Sequence, residues 1–489
     1  MSGCTVLWPR RLAYALSTLM LTSILAIYLG HYLELHHFRG WSASLSDQEI
    51  LMRLFVLPVL IAVAVFTLTG CTTARTASLM KEEATTAPVP FQAQVVGLLW
   101  LNPLARRDYP TEWQLLWTLG LSRPNESDLQ VKDKPQKFSS VQPVAAVVTN
   151  QFNDSFEGFF YRYMEVIVEP FSRRYASDPH YFYTVQPQSP SLWRELAGIR
   201  VEATLPARKD LRLDEASDSI RENIIGQYGI GRSPAISSRD TPPDVHITAG
   251  GPNAGFATLS AALDYLAAHP DETVWAMAWD APEFPLDTRM SENCVLLVLA
   301  GPHYETAREP LAWIGYPASR QLQDFEVQPG LPRAVQAWRA AMTAATDNVG
   351  RAFTDTAYLI HDAGPASDAM GHRLRTLGQA LSEPLPEFDI LRQGFNTPAL
   401  MGDMGAATSL TNVALAIAYA HHRTVPVLVA GTTGAETAHA VMVTPPQRPR
   451  VFDPAKPWFR ARGERDAYLP WWGLRHDVDG ARVMQGFSH

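Results

Sequence analysis

The stretch best suited to chemistry spans residues 244–269, DVHITAGGPNAGFATLSAALDYLAAH. Its pattern predicts a short strand, a Gly-Gly-Pro bend and a helix. Such elbows often present a nucleophile at a helix N-terminus, where the helix dipole stabilises a thiolate or an oxyanion. The bend of this elbow, however, carries Pro252, Asn253 and Ala254, with neither cysteine nor serine. The elbow therefore has the form of a catalytic element without a side chain that can attack a substrate.

Other catalytic and metal-binding patterns are missing from the sequence. The Gly-x-Ser-x-Gly elbow of hydrolases and the HExxH zinc motif do not occur. The GIGRSP stretch has Pro234 where a dinucleotide-binding fingerprint needs its third glycine. The three cysteines, Cys4, Cys71 and Cys294, are far apart, which argues against a disulfide framework or a zinc site. The sequence thus predicts no metal and no cofactor.

The composition indicates a large and mildly acidic protein. The chain has 489 residues, of which 46% are hydrophobic and 18% charged, and its formal net charge is −8. That length allows about two or three domain equivalents. The excess of acidic residues argues against nucleic acid as the main partner, because phosphate binding needs clustered lysine and arginine.

Two uncharged runs near the N-terminus are long enough to cross a bilayer. They span residues 12–33 and 54–73, and about 20 apolar residues suffice for a membrane-spanning helix. Arginines precede the first run and follow the second, which favours cytoplasmic placement of both ends. The sequence therefore predicts a two-helix transmembrane hairpin over residues 1–75 in the inner membrane, a linker over 76–90 and a cytoplasmic body.

A second interpretation places the start of the protein at Met52. The sequence then opens with a short basic start and an apolar stretch, followed by a Leu-Thr-Gly-Cys site that ends at Cys71. This order is typical of a lipoprotein signal. It would make the body a periplasmic domain anchored at Cys71, and both topologies stay open at this point.

Strands and helices alternate through residues 91–445. Near-continuous apolar runs such as TVWAMAWD and CVLLVLAGP predict buried strands. Their alternation with helical segments predicts an α/β body in which helices cover a buried sheet. The segment 153–189 is unusually aromatic. We interpret it as an insertion packed into the body, with a partner-facing aromatic patch as the alternative.

Four segments of this body, in chain order, resemble the thiolase-like fold of ketoacyl synthases. They are VVGLLWLNPLARRDYPTEWQLLWTLGLSRP, the elbow with TVWAMAWD, YLIHDAGPASD, and GDMGAATSLTNVALAIAYAHHRTVPVLV. The resemblance implies two pseudo-repeated βαβ halves, about residues 91–300 and 301–445, built as layered sheets and helices. It also implies a place for each catalytic group of that family.

Two of the three catalytic groups are missing from those places. The nucleophile position falls near Asn253, whose amide cannot attack a thioester, and the second histidine position falls on Gly402 or Asp403. A carboxylate at Asp403 would repel the negative charge that develops during condensation. Only His361 matches the family. The resemblance therefore implies vestigial positions at Asn253, His361 and Asp403, and a body without catalysis.

The tail, residues 446–489, mixes arginine with aromatic residues. Tryptophan, tyrosine and arginine dominate interface hot spots. The candidates for partner binding are Trp458, Arg460, Tyr468, Trp471, Trp472 and Arg475. Interleaved acidic residues weaken a nucleic-acid interpretation, although arginine beside aromatics also occurs in such proteins. The alternative is a tail that folds back and covers the sheet.

Taken together, the membrane hairpin, the degenerate condensing-enzyme body and the tail resemble the type VI lipase adapter family of type VI secretion systems. This resemblance implies a non-catalytic adapter that binds a phospholipase effector and assists its loading onto the secretion spike. Two other functions stay open. One is an acyl-thioester-using transferase or condensing enzyme, and the other is a periplasmic lipoprotein of unknown role. Because condensing enzymes usually pair two bodies, a homodimer also stays open.

Overall fold

The computed structural model describes residues 90–102, 111–121, 181–188, 198–230, 241–281, 291–434 and 436–451, with shorter pieces at 132–133, within 157–169, and at 473–474 and 484–485. The chain forms two compact units, residues 1–89 and 90–489. The predicted membrane hairpin, Cys71 and the Met52 start belong to the first unit, which lies outside the described residues. Within the described ranges, no helix combines the length and the apolar character that a membrane crossing needs.

In the described ranges, the second unit is built on one mixed sheet of eleven strands. The strands of its first half are β1 (Gln92–Leu101), β2 (Arg200–Pro206), β3 (Asp244–Gly250), β4 (Thr273–Asp280) and β5 (Asn293–Ala300). Those of its second half are β6 (Ala312–Gly315), β7 (Ala318–Gln321), β8 (Tyr358–His361), β9 (Gly394–Asn396), β10 (Val427–Gly431) and β11 (Thr437–Thr444). Near the C-terminus, β12 (Gly473–Leu474) and β13 (Met484–Gln485) form a separate two-stranded sheet.

The strand order is repeated in the two halves of the large sheet. From the outer edge to the centre it is β3-β2-β4-β5-β1 in the first half and β9-β8-β10-β11-β6 in the second. In each half the two outer pairs are parallel and the two inner pairs are antiparallel. β1 pairs with β6 where the halves meet, and β7 adds to β11. The α/β prediction is confirmed, and the repeated order is what two similar halves require.

Seven α-helices have bounds that lie within the described ranges, and further helical residues occur at 132–133 and within 157–169. The seven helices are α1 (Thr111–Thr118), α2 (Leu213–Tyr228), α3 (Ala254–Ala268), α4 (Arg333–Asp347), α5 (Asp368–Ser382), α6 (Thr397–Met401) and α7 (Thr408–Arg423). Short 3-10 turns lie at Leu322–Asp324, Phe353–Asp355 and Gly405–Ala407. The elbow prediction is correct in outline, because β3 leads through the Gly-Gly-Pro bend into α3.

The core lies around α7, which touches both halves of the unit. Nearly all of its residues are buried, and it packs against α3 and against strands of both halves, including β5 and β10. β4 and β5 are buried along their whole length. Such burial on both faces explains why these strands read as continuous apolar runs rather than alternating ones.

The described part of the aromatic segment 153–189 packs into this core. Phe160, Tyr181, Phe182 and Tyr183 are buried, and Phe160 meets the ring of Trp279 edge-to-face at a centroid distance of 5.3 Å. The Tyr181 hydroxyl donates a hydrogen bond of 2.7 Å to the Leu98 carbonyl in β1. These contacts support the packing interpretation for this part of the segment.

Gly255 controls how closely α3 and α7 approach, so we expect Gly255→Ala to destabilise the protein. An added Cβ would meet the Ser409 hydroxyl and lie 2.9 Å from Leu410 Cγ and 3.3 Å from the Leu410 amide nitrogen. Overpacking of this kind costs about 1–3 kcal/mol, which would lower the midpoint of thermal unfolding. Gly378→Ala in α5 is the matched control, because nothing lies within 4 Å of its Cβ position. The control should match or exceed the wild type, since alanine favours helix; equal midpoints for both variants would contradict the role of Gly255.

Candidate functional site

The elbow places Asn253 at the N-cap of α3, facing the second half of the unit. Its backbone is helical (φ −94°, ψ −4°), and its side chain makes no capping hydrogen bond to α3. Its Oδ1 atom lies instead 3.4 Å from the Thr433 hydroxyl, in the loop after β10. A Cβ added at Gly431 would collide with Asn253 Oδ1 and with Phe256. Asn253 thus fills the space above the end of β10, where only a glycine leaves room for it.

A buried carboxylate, Asp362, lies on the far side of Thr433. Its Oδ1 accepts hydrogen bonds from the Thr432 amide and, at 2.7 Å, from the Thr432 hydroxyl. Its Oδ2 lies 3.0 Å from the Thr433 hydroxyl. Burial raises the pKa of Asp362, and the hydrogen bonds from both threonines oppose that change. Thr433 therefore bridges the Asn253 amide of one half and the Asp362 carboxylate of the other.

His361 precedes Asp362 at the end of β8 and is only 2% exposed. Its Nδ1 accepts a hydrogen bond of 3.3 Å from the Ala363 amide, which leaves Nε2 as the protonated nitrogen of a neutral ring. Burial lowers the pKa of His361 to about 4, so the ring is neutral at pH 7. It can offer one N–H donor to an oxygen atom, and the lone pair of its other nitrogen already accepts the hydrogen bond from the Ala363 amide.

Asp403 is exposed and takes part in a different set of contacts. Its Oδ1 accepts a hydrogen bond of 2.9 Å from the Gly405 amide, and its carbonyl accepts one of 2.7 Å from the Ser291 amide. The preceding Gly402 has a φ of +73°, a left-handed value that favours glycine. The structure thus brings Asn253 close to the residue after His361, whereas Asp403 belongs to the turn that leads into α7.

Asp280, at the end of β4, ties that turn to the first half. Its Oδ2 accepts a hydrogen bond of 2.9 Å from the Ala406 amide, and its Oδ1 accepts one of 2.8 Å from the Ala281 amide. An Arg208 Nη2 lies 3.4 Å from Oδ1. Burial raises the pKa of Asp280 to about 6, against the effect of these donors. The carboxylate satisfies a backbone N–H before α7 that would otherwise be buried without a partner.

Sequence reasoning did not single out Asp280, Asp362 or Thr433. The sequence around both aspartates did offer one indication. Each stands at the end of an apolar strand, where a buried charge is costly unless it is hydrogen-bonded. Their partners are far away in the chain, and no spacing rule connects Asp280 with Ala406. Cys294 is buried in β5 as predicted, and burial raises the pKa of its thiol.

The remaining site predictions concern the tail and metal binding. All six tail candidates, from Trp458 to Arg475, lie outside the residues whose side chains are described. Across the described ranges, no set of histidine, cysteine and acidic side chains is grouped so that it could hold a metal ion. Within the same ranges, the polar side chains near the elbow are the neutral His361 imidazole, the Asn253 amide, and the Thr432 and Thr433 hydroxyls beside the Asp362 carboxylate. The ring of His439 also stacks on Phe256 of α3 at a centroid distance of 5.4 Å.

Comparison with known families bears on the second half of the unit. Residues 311–445 match the C-terminal region of the type VI lipase adapter protein Tla3. The matched region runs from just before β6 to the end of β11 and includes His361, Asp362, Asp403 and Thr433. The family resemblance that the sequence predicts is confirmed over this region. No curated protein is detectably similar to the chain.

Solved structures that overlap the chain include two bacterial ketosynthases. One is an oxazolomycin ketosynthase domain of Streptomyces albus, with 12% identity over 76% of this chain and 100% of that one, at a TM-score of 0.44. The other is the ketosynthase from module 1 of the bacillaene synthase of Bacillus amyloliquefaciens, with 10% identity over 74% of each chain, at a TM-score of 0.45. At these scores the overlap supports no statement about chemistry, and the thiolase-like assignment of the fold stays a prediction.

Because Asp280 has a raised pKa in the folded state, the pH dependence of stability should change when it is replaced. Its pKa rises from 3.8 to about 6 on folding, so the folded protein binds a proton between these values that the unfolded chain has lost. The unfolding free energy therefore falls as pH rises from about 4 to about 6. At about 1.4 kcal/mol per pKa unit, this contribution is at most about 3 kcal/mol.

We expect Asp280→Asn to lose this fall in stability, as measured by thermal unfolding of the full-length protein between pH 4 and pH 7. Asp271→Asn, which removes an exposed carboxylate, is the control and should keep the wild-type slope. A wild-type slope in the Asp280→Asn variant would show that Asp280 does not gain a proton on folding.

Proposed function

We propose that the chain is a non-catalytic adapter that binds a phospholipase effector and assists its loading onto a type VI secretion spike. The observation that carries this proposal is the match of residues 311–445 to the type VI lipase adapter family. That region supplies half of the large sheet and α7. The match therefore covers α7, the helix around which the core of the described unit is packed.

The contacts at the elbow support a structural rather than a catalytic role. Asn253 stands where the resemblance to condensing enzymes places the nucleophile, and its side chain contacts the loop after β10. Asp403 carries a carboxylate near the place of the second histidine, and it is exposed and bonded to its own turn. The Asn253 amide cannot attack a thioester, and the Asp403 carboxylate cannot stabilise a developing oxyanion.

A body of this kind is suited to recognition. One hydrophobic cluster extends from β1 to β11, and a second lies under α4 and α5, so surfaces carried by the strands and helices are held in fixed positions. A rigid surface loses little conformational entropy when it binds. We further propose that a hairpin over residues 1–75 anchors the body to the cytoplasmic face of the inner membrane, which would raise its local concentration near a secretion machine. Digestion of spheroplasts with external protease distinguishes this placement from a periplasmic lipoprotein anchored at Cys71.

The adapter proposal predicts capture of a phospholipase effector of the same secretion system. The tagged full-length protein should co-purify with that effector, and a catalytically inactivated effector should be captured equally well. A second variant ends after Val451, which removes residues 452–489 and retains the described contacts of Arg450. Loss of capture in this variant would place the binding surface in the tail, and unchanged capture would place it on the body. Failure of both proteins to retain the effector would contradict the proposal.

Acyl transfer is the competing function, and one contact favours it. The Thr433 hydroxyl lies 3.0 Å from Asp362 Oδ2, and a hydroxyl beside a buried carboxylate could be activated as a nucleophile. Because we propose a non-catalytic role, we expect the intact mass of the protein to stay unchanged after incubation with acyl-coenzyme A thioesters. An acyl adduct that appears in the wild type and is absent in Thr433→Val would overturn that expectation and support an acyltransferase.

A further inference from the structure

Two arginines and two histidines surround the ring of Phe182, at the end of α7 opposite the elbow. We call Phe182, Arg308, His421, His422 and Arg450 the Phe182 cluster. Arg308 follows β5, the two histidines belong to the last turn of α7, and Arg450 follows β11. Neither the family match nor the resemblance to condensing enzymes gives these residues a role.

The members of the cluster hold one another at close range. The ring of His422 stacks on Phe182 at a centroid distance of 5.1 Å, and His421 meets it edge-on at 5.3 Å. The guanidinium carbons of Arg450 and Arg308 lie 5.4 Å and 6.0 Å from the same ring centroid. Contacts of this length are typical of cation–π interactions.

The arginines have no acidic partner among the described residues. Arg308 Nη2 donates to the carbonyls of Phe182 and Thr184 at 2.5 Å and 3.2 Å, which fixes its position without neutralising its charge. Burial and the nearby Arg450 together lower the pKa of Arg308 to about 10. By contrast Arg448, two residues before Arg450, is exposed and pairs with Glu309 at 3.3 Å. Two like charges therefore share a partly buried place without a counter-charge, which is unfavourable.

His421 lies beside these arginines, between two carbonyl oxygens. Its Nδ1 lies 2.7 Å from the Leu311 carbonyl, and its Nε2 lies 3.1 Å from the Arg450 carbonyl. Only the imidazolium form can donate to both oxygens, because a neutral histidine carries one N–H. Burial lowers the pKa of His421, and Arg308 and Arg450 lower it further. An anion near the arginines would favour the imidazolium form of His421, which donates both hydrogen bonds.

We propose that the Phe182 cluster is an anion site and that carboxylates of the chain's own C-terminal segment, residues 452–489, occupy it. The described body ends at Val451, immediately after Arg450. The segment that follows carries five acidic side chains, Asp453, Glu464, Asp466, Asp477 and Asp479. Asp453 is three residues from Arg450, so the chain can place it no more than about 10 Å away.

The position of this segment favours it over an anion from solution. A group tethered within a few residues has an effective concentration in the millimolar range, and arginine binds carboxylates with paired hydrogen bonds. Because Arg308 is partly buried, salt should screen an ion pair between Arg308 and a carboxylate less than it screens an exposed ion pair. The inference does not depend on the adapter role.

Limited trypsin digestion of the full-length protein tests the proposal. The segment offers cleavage sites at Arg460, Arg462 and Arg465, and docking should protect them at low salt. We expect Arg450→Gln and Arg308→Gln to speed cleavage at these sites by about fivefold, which corresponds to roughly 1 kcal/mol of docking free energy. High salt should speed cleavage of the wild type towards the same rate. Arg448→Gln removes an equal charge from the neighbouring ion pair and should leave the rate unchanged.

A second variant keeps the test decisive if the arginine substitutions disturb folding. Neutralising all five acidic side chains of the segment to Asn or Gln leaves the body intact and should speed cleavage to the same extent. Equal cleavage rates in the wild type and this variant at low salt would overturn the proposal. Faster cleavage in Arg450→Gln without any effect of the acidic substitutions would also overturn it, because the cluster would then bind a different anion.

Discussion

The close contact between the N-terminal ends of α3 and α7 is the constraint on which the rest of the described unit depends. Gly255 has no side chain there, and Ser409 and Leu410 occupy the space that a Cβ would need. At the same junction the Ser409 amide donates a hydrogen bond of 3.1 Å to the Pro252 carbonyl. One helix follows β3 of the first half and the other precedes β10 of the second. Their contact therefore lets residues of both halves share one hydrophobic cluster, while α4 and α5 cover a second cluster in the second half.

This junction also explains why polar residues at the elbow are so closely engaged. The start of a buried helix leaves amide groups that must find acceptors inside the protein. Pro252 supplies one acceptor through its carbonyl, and Asp280 supplies another for Ala406. Asn253 then reaches across to Thr433. The bend before α3 therefore joins the two halves through these hydrogen bonds.

The sequence was informative wherever a structural requirement is local. The apolar runs of β4 and β5 follow from burial on both faces, and the glycines of the elbow follow from a sharp bend, so both could be predicted from short windows. The resemblance to condensing enzymes assigned His361 and Asn253 to vestigial catalytic positions, and that assignment stays a prediction. The links of Asp280 to Ala406 and of Asp362 to Thr432 and Thr433 could not be predicted, because each joins residues more than 60 positions apart through the fold. The Phe182 cluster could not be predicted for the same reason, since its members come from four separate segments of the chain.

The two polar regions of the unit differ in a way that bears on where partners bind. Near the elbow, Asp362 and Asp280 receive hydrogen bonds from within the body, so each buried charge is balanced by donors that the fold itself supplies. Around Phe182 the positive charge is not balanced in this way. The guanidinium groups of Arg308 and Arg450 contact carbonyl oxygens and the Phe182 ring, and no described carboxylate pairs with them. A buried carboxylate whose hydrogen bonds are already made gains little from a ligand. An arginine without an acidic partner gains a charge-assisted hydrogen bond when it binds an anion. The capacity of this body to bind something beyond its own core is therefore greater at the end of α7, where the C-terminal segment leaves it, than at the elbow.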